Sequence, residues 1–297
     1  YIPPKFPYQK SKTNEWLLSL QNGLLRKMYL EKKLNPEDFW INLGFNVGGP
    51  IYQKMYNYLK KEVESHKDYQ VFFLARDGYN LLKLNEKKKD FKAQYLYTSR
   101  RALLLAGIDK IDKQALENLP PFTLGQTVQE ILDYLDFNNV SIKIIQKAGF
   151  EDFSSRITSL EDIEKFKKIY GLCEKEFLKH CEQEKKNALN YFKSIGLLKQ
   201  NALIFDCGWH GSSQYLLEKF LENNGYQHQI KFVYVGIEKS KKSEKQLEDR
   251  MYSTCFFDQE NSYKIDKILE SIVLFELFFG APEGSVWHYN KTGYELE

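Results

Sequence analysis

The stretch that most constrains the fold is residues 201–220, NALIFDCGWHGSSQYLLEKF. It begins with four apolar residues, 202–205, a run that is too short and too rich in β-forming residues to be a helix. We therefore expect a buried strand here that stops at Asp206. The residues after Asp206 combine glycine, a turn and a new amphipathic run, so the stretch predicts a strand, a tight loop and a helix.

The predicted loop has the features of a phosphate-binding turn. Gly208 and Gly211 permit the positive φ angles that a tight turn requires, and Ser212 or Ser213 is expected to cap the helix. A helix start offers unpaired N–H groups and the positive end of the helix dipole. Asp206 is expected at the carboxyl end of the strand, where ligands of open α/β sheets bind. Alternatively, the glycines only shape the turn and Asp206 only caps it.

Two other apolar runs show the same order of strand, polar turn and helix. Gln70–Leu74 precedes ARDG, and residues 94–97 precede TSRR. Ile230–Ile237 predicts a further strand, and Met251–Phe257 predicts an edge strand. We therefore expect an α/β fold with a parallel sheet flanked by helices.

Parallel strands end at the same edge of a sheet, so the polar residues that follow these strands are expected to converge. The set is Arg76, Asp77, Arg100, Arg101, Asp206, His210, Ser212 and Ser213. It is rich in groups that bind phosphate and poor in metal ligands. Two anionic pockets with an acid between them fit a phosphorylated sugar that carries a diphosphate.

The 297 residues suffice for one large domain or two small ones. We expect an N-terminal arm and helices over 1–45, the first part of an α/β core over 46–108, a largely helical insertion or hood over 109–200, and the second part of the core over 201–297. Helices are predicted within 14–33 and over 265–279. The absence of an initiator Met suggests a piece of a longer polypeptide.

Composition excludes several classes of protein. The net charge is only +3 and the lysines alternate with acids, so no stretch predicts a nucleic-acid surface. The four cysteines lack the paired spacing of a zinc site and indicate a reducing, cytoplasmic setting. No apolar run approaches the roughly 20 residues of a membrane span.

Familiar catalytic motifs are also missing. The sequence has no GxGxxG, no GxxxxGK[ST] and no GxSxG. Cys207 and His210 lie three residues apart in the predicted turn, but this spacing does not require their side chains to meet, so a thiol nucleophile is not favoured.

The segment DCGWHGS after four apolar residues resembles the phosphoribosyl-diphosphate loop of phosphoribosyltransferases, and ARDG looks like their diphosphate loop. Taken together, LARDGY, YTSRRAL, FDCGWHGS and FELFFGAPEGS resemble modules of bacterial capsule and O-antigen polymerases. Those modules are often joined to glycosyltransferase domains or to phosphatase domains of the haloacid-dehalogenase type. The second resemblance covers residues 46–286.

The phosphoribosyltransferase resemblance implies a parallel sheet with a hood, phosphoribosyl diphosphate as donor, and Mg²⁺ held through the donor diphosphate. Carried over, Asp206 holds the ribose hydroxyls and Arg76, Asp77 and Gly78 form the diphosphate loop. The 5-phosphate is then held by Gly208, Gly211, Ser212 and Ser213. Such loops usually bear two adjacent acids, whereas Cys207 follows Asp206 here.

In the polymerase setting, the implied reaction transfers ribofuranose 5-phosphate to a sugar hydroxyl of a glycan acceptor, and a companion phosphatase removes the phosphate later. Mg²⁺ together with Arg76, Arg100 or Arg101 is expected to stabilise the leaving charge. Asp77 is the first candidate for the base and His210 the second.

The same resemblance suggests that Trp209 and Tyr79 stack on the acceptor sugar, although packing inside the protein explains these rings equally well. It also implies a cytoplasmic protein that can sit at the inner membrane within a polysaccharide assembly complex, next to companion glycosyltransferase and phosphatase modules.

Two other functions stay open. A sugar phosphatase of the haloacid-dehalogenase type needs DxDx[TV] after a strand, and both FDCGW and ARDGY lack the second acid. A non-catalytic sugar-binding module is favoured if Asp206 and Arg76 do not share a pocket.

Overall fold

The computed structural model describes Lys27, Ile41, residues 43–257 and residues 278–297. Contacts within the chain divide it into two compact units, residues 1–57 and residues 58–297. The predicted N-terminal arm and the helix within 14–33 lie outside the described residues, apart from Lys27. The helix predicted over 265–279 lies outside them apart from its last two residues.

The elements follow one another in an order that places helices before, between and after parallel strands. A π-helical turn, Gly44–Gly48, leads into α1 (Gly49–Ser65), β1 (Gln70–Leu74), α2 (Tyr79–Lys88) and β2 (Ala93–Leu96). Six helices follow: α3 (Arg100–Ala106), α4 (Lys113–Asn118), α5 (Val128–Tyr134), α6 (Ile142–Ala148), α7 (Leu160–Leu172) and α8 (Glu174–Ser194). The chain ends with β3 (Ala202–Trp209), α9 (Ser212–Asn223), β4 (Ile230–Ile237), α10 (Lys241–Leu247), β5 (Met251–Phe257), β6 (Val286–Asn290) and β7 (Gly293–Leu296).

The first five strands form one parallel sheet in the order β2-β1-β3-β4-β5, and β6 and β7 form a separate antiparallel hairpin. The predicted α/β fold, with a parallel sheet flanked by helices, is confirmed. From β1 the chain runs on to β2 on one side, and from β3 it runs on to β4 on the other. The loops after β1 and β3 therefore diverge, and a crevice between such loops is where open α/β sheets bind ligands.

The central strands are continuous apolar runs because both of their faces are covered. Phe72 on β1 pairs with Ile204 on β3, and both are fully buried on the face that packs against α3, α8 and α9. Phe73 points the opposite way, where its ring packs against those of Phe205 and Phe91 at centroid distances of 6.1 and 6.4 Å. Two apolar faces on each strand thus hold β1 and β3 together at the centre of the sheet.

The helices between β2 and β3 form a predominantly helical insertion with a hydrophobic core of its own. Its buried residues include Val128, Ile131, Phe166 and Tyr170. Two helices contribute to both cores. In α8, Phe177 and Cys181 lie in the insertion core, whereas Ala188 and Phe192 lie in the core beneath the sheet. In α3, Leu105 lies in the insertion core and Leu103 in the core beneath the sheet.

The sequence prediction was wrong about how β3 ends. The strand does not stop at Asp206 but continues to Trp209, so the turn to α9 consists of only His210 and Gly211. The N-cap is Gly211 at φ +74°, rather than Ser212 or Ser213. The strand can continue because Gly208, at φ +120°, pairs with Gly236 of β4; a Cβ there would lie only 2.2 Å from the Gly236 carbonyl oxygen.

We expect Gly208→Ala to lower the free energy of unfolding by at least about 3 kcal/mol, because it adds a clash between two backbones to the strain of a positive φ. Gly225→Ala is the matched control. Gly225 also has a positive φ, +80°, but open space surrounds the Cβ position, so only about 1–2 kcal/mol should be lost. Urea unfolding of both variants tests this, and equal losses would contradict the close approach of β3 and β4.

Candidate active site

A pair of carboxyl groups occupies the edge of the sheet between β1 and β3. Asp206 on β3 is 3% exposed, and Asp77, three residues after β1, is partly exposed. Their side chains hydrogen bond to each other. The backbone N–H of Gly208 also donates to Asp206 Oδ1 at 3.3 Å, and that of Cys207 donates to Asp77. The structure therefore brings two predicted catalytic residues together at the switch point of the sheet.

Burial raises the pKa of Asp206 well above its ordinary value of 3.8, and the neighbouring Asp77 raises it further. Burial also raises the pKa of Asp77, while the hydrogen bond from Asp206 and the charges of Arg76 and Arg100 oppose that rise. The shared proton lies on Asp206 because this carboxyl is the more deeply buried of the two. Asp206 donates it to Asp77, and repulsion between two carboxylates is avoided.

The loop after β1 is a tight turn with a strained residue. Arg76 has φ +69°, and its backbone N–H donates to the Tyr95 hydroxyl at 2.6 Å. The N–H of Gly78 donates to the carbonyl of Leu74, and a Cβ on Gly78 would come within 2.6 Å of the Phe73 Cβ. Because its N–H groups are bonded within the protein, this loop can bind an anion mainly through side chains.

Residues 280–286, called here the C-terminal strap, lie over this loop. Arg76 Nη1 donates to Ser285 Oγ at 2.7 Å, and the Tyr95 hydroxyl donates to Glu283 Oε1 at 2.5 Å. Ser99 Oγ donates to the Val286 carbonyl oxygen at 2.7 Å. The GAPEGS segment therefore lies at the sheet edge and holds the Arg76 side chain.

The two arginines after β2 diverge. Arg100 is exposed, and its positive charge lowers the pKa of both Asp77 and His210, so it faces the crevice. Arg101 is 6% exposed and turns towards the insertion, where its guanidinium lies 4.1 Å from the Trp287 ring and 4.8 Å from the Tyr134 ring. Sequence reasoning had grouped the two arginines; the structure does not bring Arg101 to the carboxyl pair.

The start of α9 presents unpaired donors. Within the described part of the chain, the N–H groups of Ser212, Ser213 and Gln214 have no backbone acceptor. Both serines are partly exposed, and Ser212 Oγ donates to Gln246 Oε1 of α10 at 2.8 Å. These donors lie at the start of a helix of twelve residues, so the helix dipole favours an anion here.

His210 lies beside a residue that sequence reasoning missed. Its Nε2 lies 3.5 Å from Oε2 of Glu238, the residue that follows β4. Burial lowers the pKa of His210 below 6.5, Lys242 and Arg100 act in the same direction, and Glu238 opposes them. The rule used for the first three strands, which examines the polar residues after each strand, would have found Glu238 had it been applied to β4.

The two aromatic residues proposed to stack on a sugar differ in exposure. Trp209 is only 7% exposed and belongs to the buried apolar set, so its ring packs inside the protein. Tyr79 is partly exposed, and its ring lies edge-on to that of Tyr95 at 6.3 Å. Of the pair, Tyr79 is the one that a ligand can reach.

Among residues 43–257 and 278–297, no three His, Cys, Asp or Glu side chains form a group that could hold a metal ion. None of the helices described is long and apolar enough to cross a membrane.

No protein-family model matches this chain, and no curated protein matches it.

The raised pKa of Asp206 predicts how stability depends on pH. A carboxyl whose pKa is higher in the folded state stabilises the fold fully below its unfolded value near 3.8. That contribution is lost as the pH rises through the folded pKa, by up to about 1.4 kcal/mol per pH unit. Asp206→Asn supplies a neutral donor at every pH, so its unfolding free energy should decline less between pH 4 and pH 8 than that of the wild type.

Urea unfolding across this pH range measures the difference. Asp68→Asn, which neutralises an exposed carboxylate, is the control and should keep the wild-type slope. Equal slopes for Asp206→Asn and the wild type would contradict a shared proton on Asp206.

Proposed function

We propose that this protein is a glycosyltransferase that moves ribofuranose 5-phosphate from phosphoribosyl diphosphate to a sugar hydroxyl during synthesis of a bacterial surface polysaccharide. The observation that carries the proposal is the hydrogen-bonded pair Asp77–Asp206 at the switch point of the sheet. Cationic side chains flank it on the β1 and β2 side, and a helix start with unpaired N–H groups flanks it on the β3 side.

These three features match the three parts of the donor. The 5-phosphate occupies the start of α9, where N–H groups and the dipole favour an anion. The ribose lies over the carboxyl pair, and Asp206 binds its hydroxyls. The diphosphate lies near Arg76 and Arg100, whose planar guanidinium groups suit phosphate oxygens. For this, Arg76 exchanges the Ser285 hydroxyl for a diphosphate oxygen.

The donor set also fits Mg²⁺ carried by the diphosphate. Mg²⁺ commonly takes one or two carboxylates together with substrate phosphates and waters, and Asp77, the less buried member of the pair, is the residue that would reach it. When bound, the metal neutralises charge on the departing diphosphate.

In the transfer, the bond between C1 of the ribose and the diphosphate oxygen breaks, and its electron pair leaves with the diphosphate. A new bond forms between C1 and the acceptor oxygen, and the proton of the acceptor hydroxyl passes to a base. Arg76 and Arg100 stabilise the negative charge that develops on the leaving group.

A sugar phosphatase of the haloacid-dehalogenase type is the weaker alternative. That chemistry requires a second acid two residues after the nucleophile, and those positions hold Tyr79 after Asp77 and Gly208 after Asp206. A non-catalytic sugar-binding module is also disfavoured, because Arg76 and Asp206 are neighbours in one site. The charge of Arg76 lowers the pKa of Asp77, and Asp77 is hydrogen bonded to Asp206.

We expect titration calorimetry to show micromolar binding of phosphoribosyl diphosphate with Mg²⁺, and much weaker binding of ribose 5-phosphate and of a nucleotide sugar. Asp206→Ala should abolish binding, and Arg100→Gln should weaken it about 10–100-fold, the value of one or two charge-assisted hydrogen bonds. Arg156→Gln, which removes an exposed arginine of the insertion, is the matched control and should bind normally. Absence of binding in the wild type, or normal binding by Asp206→Ala, would refute the proposal.

The 5-phosphate pocket can be tested by placing a negative charge in it. Ser213→Asp should raise the free energy of unfolding by about 0.3–1 kcal/mol, because a carboxylate interacts favourably with the start of α9. It should also weaken donor binding by more than about 100-fold, because two anions compete for one pocket. Ser141→Asp, at the start of α6, gives the same change at an exposed site away from the sheet edge and should leave donor binding unchanged. Normal donor affinity in Ser213→Asp would place the 5-phosphate elsewhere.

A further inference from the structure

We propose that Tyr95 and Glu283 are positioning residues for the donor diphosphate. A chain of two hydrogen bonds, from the Arg76 N–H to Tyr95 and from Tyr95 to Glu283, holds Arg76 in the backbone conformation that directs its guanidinium to the leaving group. The inference rests on the proposed transferase function, in which Arg76 binds the diphosphate. It adds two residues that act through Arg76 rather than on the substrate.

The strained backbone of Arg76 requires support from outside its own turn. A φ of +69° is unfavourable for a residue with a Cβ, and it persists only where surrounding contacts hold it. Within the turn, the N–H of Asp77 donates to the Ala75 carbonyl oxygen at 3.0 Å. The N–H of Tyr79 donates to the Arg76 carbonyl oxygen at 3.2 Å. These bonds close the turn, but the N–H of Arg76 itself donates across to Tyr95 on β2.

The Tyr95 hydroxyl links this N–H to the C-terminal strap. It accepts from the Arg76 N–H at 2.6 Å and donates to Glu283 Oε1 at 2.5 Å, and a hydroxyl can make both bonds at once. A carboxylate is a strong acceptor, and its bond polarises the hydroxyl so that the oxygen accepts more strongly from Arg76. Burial and the bond to Glu283 raise the pKa of Tyr95 above its ordinary value of 10, so the hydroxyl keeps the proton that it donates.

The ring of Tyr95 is fixed independently of the strap. Tyr95 lies on β2 in register with Phe73 of β1. Its ring lies edge-on to that of Tyr97 at a centroid distance of 4.8 Å and to that of Tyr79 at 6.3 Å. The strand and these rings therefore set the position of the hydroxyl, and the loop after β1 is held against a rigid point.

Glu283 is also held from both sides along the chain. Before it, Asn80 Nδ2 donates to the Gly280 carbonyl oxygen at 3.3 Å, and after it, Ser99 Oγ donates to the Val286 carbonyl oxygen at 2.7 Å. The strap is thus tied to α2 and to the start of α3. Its carboxylate is presented to Tyr95 by a segment that is anchored at both ends.

Arg76 therefore has two attachments of different kind. Its guanidinium donates to Ser285 Oγ, a neutral acceptor that the charged oxygen of a diphosphate can replace. Its backbone N–H is bonded to Tyr95, and binding of the donor leaves that bond in place. The side chain can change partner while the backbone keeps its conformation, so the loop is organised for the diphosphate before the donor arrives.

The first test detects the hydrogen bonds without any ligand. Amide spectra of the full chain labelled with ¹⁵N-arginine contain the Arg76 signal, which Arg76→Lys identifies. In Tyr95→Phe we expect the amide proton of Arg76 to move upfield and to exchange with water about 3–10-fold faster, because its acceptor is lost. Glu283→Gln should move the signal in the same direction by less, because an amide oxygen polarises the hydroxyl more weakly than a carboxylate does.

Tyr226→Phe is the matched control for this test. It removes a hydroxyl from a partly exposed tyrosine between α9 and β4, at the opposite edge of the sheet, and should leave the Arg76 signal unchanged. An Arg76 amide that is also unchanged in Tyr95→Phe would overturn the bond to Tyr95. An amide that responds to Tyr95→Phe but not to Glu283→Gln would overturn the role of Glu283.

The second test separates positioning from a merely structural role. By titration calorimetry, Tyr95→Phe should weaken binding of phosphoribosyl diphosphate with Mg²⁺ about 10-fold and leave the affinity for ribose 5-phosphate unchanged, because only the diphosphate contacts Arg76. Tyr226→Phe should bind both ligands normally. Normal donor binding by Tyr95→Phe, or an equal loss for both ligands, would overturn the positioning role.

A double-mutant cycle tests whether Glu283 acts through Tyr95. Glu283→Gln also removes a negative charge near an anionic ligand, and this effect is present with or without the Tyr95 hydroxyl. We therefore expect Glu283→Gln to be less favourable for donor binding in the wild type than in Tyr95→Phe, by about 3-fold. Equal effects in the two backgrounds would show that Glu283 does not act through the hydroxyl.

The tests separate the possible failures. If the wild type does not bind phosphoribosyl diphosphate, the proposed function and the positioning role fail together, while the Arg76 amide still shows whether the two hydrogen bonds exist. If the wild type binds the donor and Tyr95→Phe binds it equally well, the proposed function stands and the positioning role fails.

Discussion

The proton shared by Asp206 and Asp77 holds the centre of the sheet edge together. Asp206 is anchored in β3 between buried neighbours, and Asp77 belongs to the turn after β1, so one hydrogen bond joins a rigid strand to a tight loop. Two ionised carboxylates could not lie so close in a buried position. The protonated pair carries one negative charge instead of two, and the neighbouring Arg76 and Arg100 leave the crevice positive, which suits an anionic ligand.

Close approach of backbones is the second constraint. β3 reaches Trp209 only because glycines face each other on β3 and β4, and the turn into α9 fits against Leu247 only because Gly211 has no side chain. The strand therefore delivers Asp206, His210 and the start of the helix within a few residues. One short segment, whose geometry is set by steric exclusion, therefore supplies both the candidate catalytic side chains and the unpaired N–H groups of the helix start.

Much of this arrangement could be predicted from the sequence. The apolar runs at β1, β3, β4 and β5 identified the sheet, and the polar residues that follow the apolar runs 70–74 and 202–205 identified Asp77 and Asp206. The direction of a long side chain could not be predicted, because neighbours from distant parts of the chain decide it. Cation–π contacts with Trp287 and Tyr134 hold the Arg101 side chain away from the crevice. A hydrogen bond to Ser285 holds the Arg76 side chain at the C-terminal strap. The length of β3 was likewise decided by Gly236, a residue of another strand.

The sharing of α8 between two cores has a mechanical consequence. Its first half is buried in the insertion and its second half beneath the sheet, and the 21 residues form one unbroken helix. A hood attached in this way cannot swing on a hinge without pulling Phe192 from the core under the crevice. The insertion is therefore expected to keep a fixed position relative to the sheet, and a ligand that binds in the crevice meets a rigid neighbour instead of a closing lid.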